Sequence, residues 1–191
     1  MTCCIGYIAK NKMYFVGDTA GTDDDNVQET RRDSKVFKLN NILFATAGSF
    51  RMRDLLMYNL VIPRLGKDED IDKYVRTKLI NNIRKLFIDN GVCIKTDESD
   101  QVSPGEILIG IKNRLYKIES DFQVGEAIKH YNAIGAGSRE ALGALDMYGK
   151  YNNYPDDDID IKLLIDNAIE VAAGRNATVN MITKYITKSI K

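Results

Sequence analysis

Residues 3–9 and 12–17 alternate loosely and are rich in Ile, Val, Tyr and Phe, which predicts two strands joined at a Lys10-Asn11 turn. Residues 19–34 are polar and turn-rich and read as an irregular loop. Lys35–Leu39 and Ile42–Ala47 predict a second hairpin about Asn40-Asn41. The period then changes. Met52, Leu55, Leu56 and Leu60 fall at helical spacing, and Pro63 ends or kinks that helix. Ile71, Tyr74, Val75, Leu79, Ile83, Leu86 and Phe87 line one face of a longer helix, with Gly91 as its stop. Residues 95–105 are a polar loop, after which Ile107–Ile111, Leu115–Glu119 and Phe122–Gly125 resume the strand pattern. Ala133–Ile134 is a short strand running into a turn and a helix over 135–149. Pro155 with Asp156–Asp158 marks the start of another helix, in which Leu164, Ala168, Val171 and Ala172 share a face and which Gly174 closes. Thr178–Tyr185 predicts a last strand.

Strands in blocks and helices in pairs are not the alternation of βαβ units. The order fits two antiparallel sheets packed face to face with a helix pair outside each, an α+β, four-layer αββα sandwich. At 191 residues the chain has the length of one domain, read as spanning 1–191. A domain of that size can bury about 70% of its unfolded surface.

Composition narrows the function classes. Lys+Arg and Asp+Glu are both 27, so neither nucleic acid nor an anionic membrane surface has a general electrostatic claim on the chain. No apolar run has the length of a bilayer span. Lys10 and Lys12 follow the first apolar stretch instead of preceding it, unlike a signal peptide. The expectation is a soluble, cytoplasmic protein. Cys3, Cys4 and Cys93 form no disulfide framework, and adjacent Cys3 and Cys4 in a strand face opposite sides as small packing residues. His130 is the single histidine; it excludes multi-histidine metal sites in one chain, and its Lys129-His130-Tyr131 setting reads as a turn. No glycine loop for phosphate is present. The acids at 23–26 lack the glycine and terminal glutamate of a calcium loop, so neither cofactor nor metal is expected.

The chemistry candidate is the amino terminus. A nucleophile needs a base to take its proton. A threonine at the start of a chain carries both, a hydroxyl and an α-amine whose reference pKa is about 7.7–8.0. Thr2 follows Met1, and trimming of Met1 would expose it. Met-Thr is also simply a common start.

Three further stretches change the weight of that dipeptide. "GDTAGT" places Asp18 and Thr22 just past the second strand, "DSKVFKL" places Lys35 early in the third, and "FATAGSF" places Thr46, Gly48 and Ser49 at the end of the fourth, before a helix. With "IGAGSREALGAL" later on, the chain resembles the proteasome β-type family of N-terminal nucleophile (Ntn) hydrolases. It is most similar to HslV-type subunits and to short proteasome-like proteins of bacteria and phages. The resemblance runs in order over nearly the whole chain and is densest in residues 2–60.

The resemblance implies a threonine-type peptidase. In it Thr2 is the nucleophile, Lys35 the cation that keeps the α-amine neutral, and Asp18 the partner of Lys35. Gly48 offers its N–H to the oxyanion. Thr22 pairs with an extended polypeptide substrate, and Thr46 lines the first specificity pocket, with Ser49 beside it. Self-association into rings and an ATPase unfoldase partner are implied in the same way. Taken singly, Asp18 reads equally as a turn residue, Lys35 as an edge-strand lysine and Gly48 as a helix-entry turn.

The second half departs from the family. Gly135-Ala136-Gly137 stands where the family has Gly-Ser-Gly. Arg175–Asn180 stands where it has Arg-Asp-x-x-Ser-Gly, with Asn176 and Val179 in the two polar positions. These departures favour an alternative, a non-catalytic ring or interaction subunit; a further alternative is an N-terminal amidohydrolase acting on a small amide with the same chemistry and no ring.

Overall fold

The computed structural model describes residues 2–22, 27–93 and 103–190. Two antiparallel sheets carry the fold. One has the order β10-β1-β2-β11, formed by β1 (Cys4–Ala9), β2 (Lys12–Asp18), β10 (Tyr131–Ile134) and β11 (Thr183–Ser189). The other has the order β5-β6-β7-β8-β9, formed by β5 (Val36–Leu39), β6 (Ile42–Gly48), β7 (Gly105–Ile111), β8 (Arg114–Ile118) and β9 (Val124–Glu126).

Three hydrophobic cores fill the three spaces of a four-layer sandwich. Between the sheets lie Cys4, Met13, Phe15, Leu43, Ala45 and Leu108. On the outer face of the first sheet, Cys3, Ile5, Tyr7 and Val16 pack against α4 (Ser138–Tyr151) and α5 (Asp158–Arg175). On the outer face of the second, Phe44, Ile107, Ile109 and Tyr116 meet α1 (Phe50–Tyr58) and a continuous helix. That helix runs through α2 (Ile71–Tyr74), a π-helical stretch (Val75–Leu79) and α3 (Ile80–Asp89). Strands buried on both faces need no strict alternation, which is why the pattern of β1 and β2 is loose. Cys3 and Cys4 point into different cores, as their adjacency requires.

Turn chemistry sits where the sequence places it. Asn40 takes φ +51 at the β5–β6 turn, and Gly91 takes φ +65 after α3. Asp157 caps α5 by accepting from the N–H groups of Ile159 and Asp160. Among the described residues no helix is long and apolar enough to cross a membrane.

Several expectations need correction. Part of the 19–34 segment is a hairpin of β3 (Ala20–Thr22) and β4 (Gln28–Thr30); β4 is exposed throughout, so no apolar alternation betrays it. The residues at 23–26 lie outside the described ones, as does most of the loop expected at 95–105. The last strand starts at Thr183, because Asn176 closes a turn on Thr178 and Val179 packs into the helix-side core. The buried face of α5 is Ile161, Leu164, Ile165, Ala168, Ile169 and Ala172. Val171 is half exposed, and Gly174 lies inside the helix.

Candidate active site

Antiparallel pairing brings the start of β1, the end of β2, the end of β6 and the end of β10 to one end of the sandwich. Cys4 pairs with Gly17, so the residues before β1 lie beside Asp18, whose N–H donates to the Cys3 carbonyl at 3.1 Å. Thr2 is only 3% exposed. Its carbonyl accepts the Gly137 N–H at 3.2 Å.

Lys35 reaches this end from the residue before β5. Its Nζ donates to Asp18 Oδ1 at 2.8 Å, with side chains 4% and 0% exposed. The same Oδ1 accepts the Cys3 N–H at 2.9 Å, and Oδ2 accepts the Ala20 N–H at 3.1 Å. Asp18 therefore joins the lysine to the backbone one residue past Thr2. A buried carboxylate is tolerable when its lone pairs are satisfied in this way. The main chain of the lysine is fixed too. Its carbonyl accepts from the Thr46 N–H at 3.0 Å and from the Thr46 hydroxyl at 3.3 Å, while Arg53 Nε donates to the preceding Ser34 carbonyl at 2.9 Å. A Cβ on Gly17 would stand 3.2 Å from Lys35 Cβ and 2.9 Å from Cys4 Sγ, so glycine there leaves the lysine its path.

Thr2, Asp18, Lys35 and Thr46 are thus buried together. Gly48 ends β6 with φ +128 opposite Gly105, and a Cβ on it would stand 2.3 Å from the Pro104 carbonyl oxygen. Ser49 is the N-cap of α1; its hydroxyl accepts the Arg51 N–H at 3.1 Å. Thr22 ends β3 and forms one wall of a cleft of about 260 Å³, with Gly21, Val27, Glu29, Arg31 and Phe50. The Arg31 guanidinium lies 4.1 Å over the Phe50 ring, the first residue of α1.

The turn after β10 covers Thr2. Gly135 takes φ +92, and a Cβ on it would stand 2.3 Å from the Thr2 carbonyl oxygen. Ala136 is exposed. The side-chain oxygen of Asn176 accepts from Thr178, and Val179 is 4% exposed in the helix-side core. Burial pushes the Cys3 thiol up to about 12, with the Asp18 carboxylate adding to it, so Cys3 carries no useful thiolate near neutrality.

Two contributors escaped the sequence reading. Asn180 Oδ1 accepts the Thr19 N–H at 3.0 Å and the Thr19 hydroxyl at 3.2 Å, which fixes the chain just past Asp18. Glu106 Oε2 accepts the Gly135 N–H at 2.8 Å and so holds the turn over Thr2. Both links join residues far apart in sequence and become visible only through strand register.

Burial raises the Glu106 carboxyl, but hydrogen bonds from Lys117 and from the Gly135 N–H outweigh it and hold the group below the usual glutamate range. A depressed carboxyl contributes stability above its unfolded value, 4.5, and loses it as pH falls through the folded value. Glu106→Gln keeps an acceptor for Gly135 and removes the ion pair. It is expected to lower stability at neutral pH by about 1 kcal/mol. Thermal melts of variant and wild type should converge as pH falls below that unfolded value.

Comparison with solved structures places this architecture. The chain is similar over 99% of its length to Thiobacillus denitrificans BPH, covering 98% of that chain with a TM-score of 0.78 at 14% identity. A structure of the same protein in complex with epoxomicin gives 0.76. Against a eukaryotic HslV from Trypanosoma brucei the TM-score is 0.66 at 13% identity, covering 97% of this chain and 98% of that one. Against Anbu, an ancestral beta-subunit from Yersinia bercovieri, it is 0.69 at 14% identity, covering 98% and 81%. No family model matches the sequence, and no curated protein matches it. The chain has the proteasome β-type Ntn-hydrolase fold.

Proposed function

We propose that this chain, read as one domain over 1–191, is a threonine-type peptidase subunit. After removal of Met1, the Thr2 hydroxyl attacks a peptide carbonyl and the Thr2 α-amine takes its proton. The amine then protonates the leaving nitrogen, and water releases the acyl-enzyme with the amine again as base. The buried Lys35 ammonium, joined through Asp18 to the Cys3 N–H, carries this reading. A cation there disfavours a second positive charge on the α-amine and favours the developing alkoxide. Gly48 is the oxyanion donor in this scheme. An extended polypeptide lies along Thr22, with Thr46 and Ser49 near its first pocket. Self-association into a ring and an ATPase unfoldase partner follow the resemblance, and a cytoplasmic location is kept from the sequence expectation.

A second reading has a specific observation behind it. Ala136 carries no hydroxyl, Asn176 spends its side-chain oxygen on a local turn and Val179 is buried among apolar side chains. A non-catalytic ring or interaction subunit tolerates all three.

Intact mass before and after incubation with epoxomicin, a peptide epoxyketone, separates the two. The peptidase is expected to lack Met1 and to gain one inhibitor mass, as the amine and hydroxyl of Thr2 both bond to the warhead. Thr2→Ala should gain none. Retention of Met1 locks the proposed base in an amide and rules the peptidase out. Loss of Met1 with neither adduct nor cleavage of fluorogenic peptides supports the structural subunit. An active monomer on gel filtration points to a small-amide amidohydrolase.

A further inference from the structure

The end of the sandwich away from Thr2 carries a groove of about 810 Å³. It is formed by the β5–β6 turn, the β7–β8 turn, the end of β11 and the 62–65 segment. β6 runs from this end at Ile42 to the candidate active site at Gly48, so the two lie about 20 Å apart at strand rise. A volume of this order suits several residues of an extended ligand.

The lining is one-sided in charge. Lys38, Arg64, Lys112 and Lys188 contribute four cations, and among the described residues no acidic side chain lines the groove. Several cations elsewhere are paired, as in Lys10–Asp156, Lys12–Asp158, Arg114–Glu126 and Lys117–Glu106. Among the described residues none of the four groove cations forms an ion pair; Lys188 instead donates to the Asn41 carbonyl at 2.5 Å. Burial and the neighbouring Lys38 charge hold the Lys188 ammonium below the usual lysine range. An anion in the groove relieves that repulsion.

The floor is apolar, with Ile42, Ile62 and Ile111. One wall is pinned: the Tyr74 hydroxyl donates to the Pro63 carbonyl at 2.8 Å, and Asn82 Nδ2 donates to the Val61 carbonyl at 3.1 Å. β11 and β5 are outer strands of their sheets and both border the groove. Outer strands offer main-chain donors and acceptors to an added extended segment.

We infer that this groove docks an acidic peptide segment of a partner protein. Its carboxylates meet Lys38, Arg64, Lys112 and Lys188, and its apolar side chains lie on Ile42, Ile62 and Ile111. The occupant binds apart from the substrate of the Thr2 site and can be present with it.

Fluorescence anisotropy of a fluorescein-labelled hexapeptide of alternating Asp and Leu, added to full-length Thr2→Ala protein, tests this without hydrolysis of the probe. Saturable binding that weakens with added salt is expected. Arg64→Glu with Lys112→Glu should weaken it about tenfold or more. Both side chains are exposed, so the melting temperature should not change. The matching Lys/Leu hexapeptide should not bind, and the double substitution in a chain retaining Thr2 should leave peptidase activity intact. No binding of the acidic probe, equal binding of the basic one, or indifference to the charge reversal overturns the inference. So does a change of oligomeric state on charge reversal, which makes the occupant another copy of this chain. Because binding is read without the Thr2 hydroxyl, each of these failures leaves the peptidase reading standing.

Discussion

Lys35→Ala is expected to reduce peptide hydrolysis by about 10³-fold or more, as when one member of a cooperating catalytic set is removed. The same change should destabilise the protein. Asp18 is fully buried and Lys35 nearly so, and removing one partner strands the other charge, at about 3–5 kcal/mol in comparable pairs. Asp18 keeps its bonds from the Cys3 and Ala20 N–H groups, which places the expected loss at the lower end of that range. For a chain of this size the melting temperature should fall by roughly 6–12 °C.

A loss of activity caused only by unfolding must be separated from a loss caused by the missing ammonium. Lys35→Met combined with Asp18→Asn does so, since it removes both charges and keeps much of the volume. A buried ion pair replaced as a unit is often neutral for stability, so the double variant should melt well above Lys35→Ala. Its activity should stay lost, because nothing then holds the amine neutral. Recovery of peptide turnover in the double variant would show that the cation is dispensable and would sink the proposed role of Lys35.

The sequence made the frame of this site legible and left its fastenings obscure, for physical reasons. Hairpins with short polar turns and helices with a buried stripe are local, so β1–β2, β5–β6 and the 71–89 helix could be read from periodicity. Asp18, Lys35 and Gly48 each lie at or beside a strand end, and antiparallel pairing gathers such ends. β3 and β4 carry no periodic signal because each is only three residues long and β4, exposed throughout, has no apolar face. Glu106 and Gly135 are 29 residues apart, and Thr19 and Asn180 are 161 apart; only the register of the finished sheets joins them. Thr46 shows the same limit at short range: its hydroxyl donates to the Lys35 carbonyl across the β5–β6 hairpin, a contact set by which way the side chain turns.

Gly135→Ala is the substitution expected to separate positioning of Thr2 from everything else. At φ +92 an L side chain is strained, and the added Cβ would stand 2.3 Å from the Thr2 carbonyl oxygen and 3.0 Å from Thr2 Cβ. Left-handed backbone costs about 1–2 kcal/mol. Overpacking of this kind costs about 1–3 kcal/mol more. The turn is tied to Glu106 at its N–H and, through Gly137, to the Thr2 carbonyl, so relief must come from moving Thr2. A shift of about 1 Å in a reacting group costs on the order of 10²-fold in rate. The cleft beside Thr22 is formed by other elements and should keep its shape, so kcat should fall while KM changes little. Gly143→Ala is the matched control. It lies in α4 with nothing within 4 Å of an added Cβ, and alanine there should stabilise the helix by about 0.5–1 kcal/mol without touching kcat. If Gly135→Ala folds and keeps full kcat, the turn after β10 does not position the proposed nucleophile, and Thr2 must be held from the Asp18 side alone.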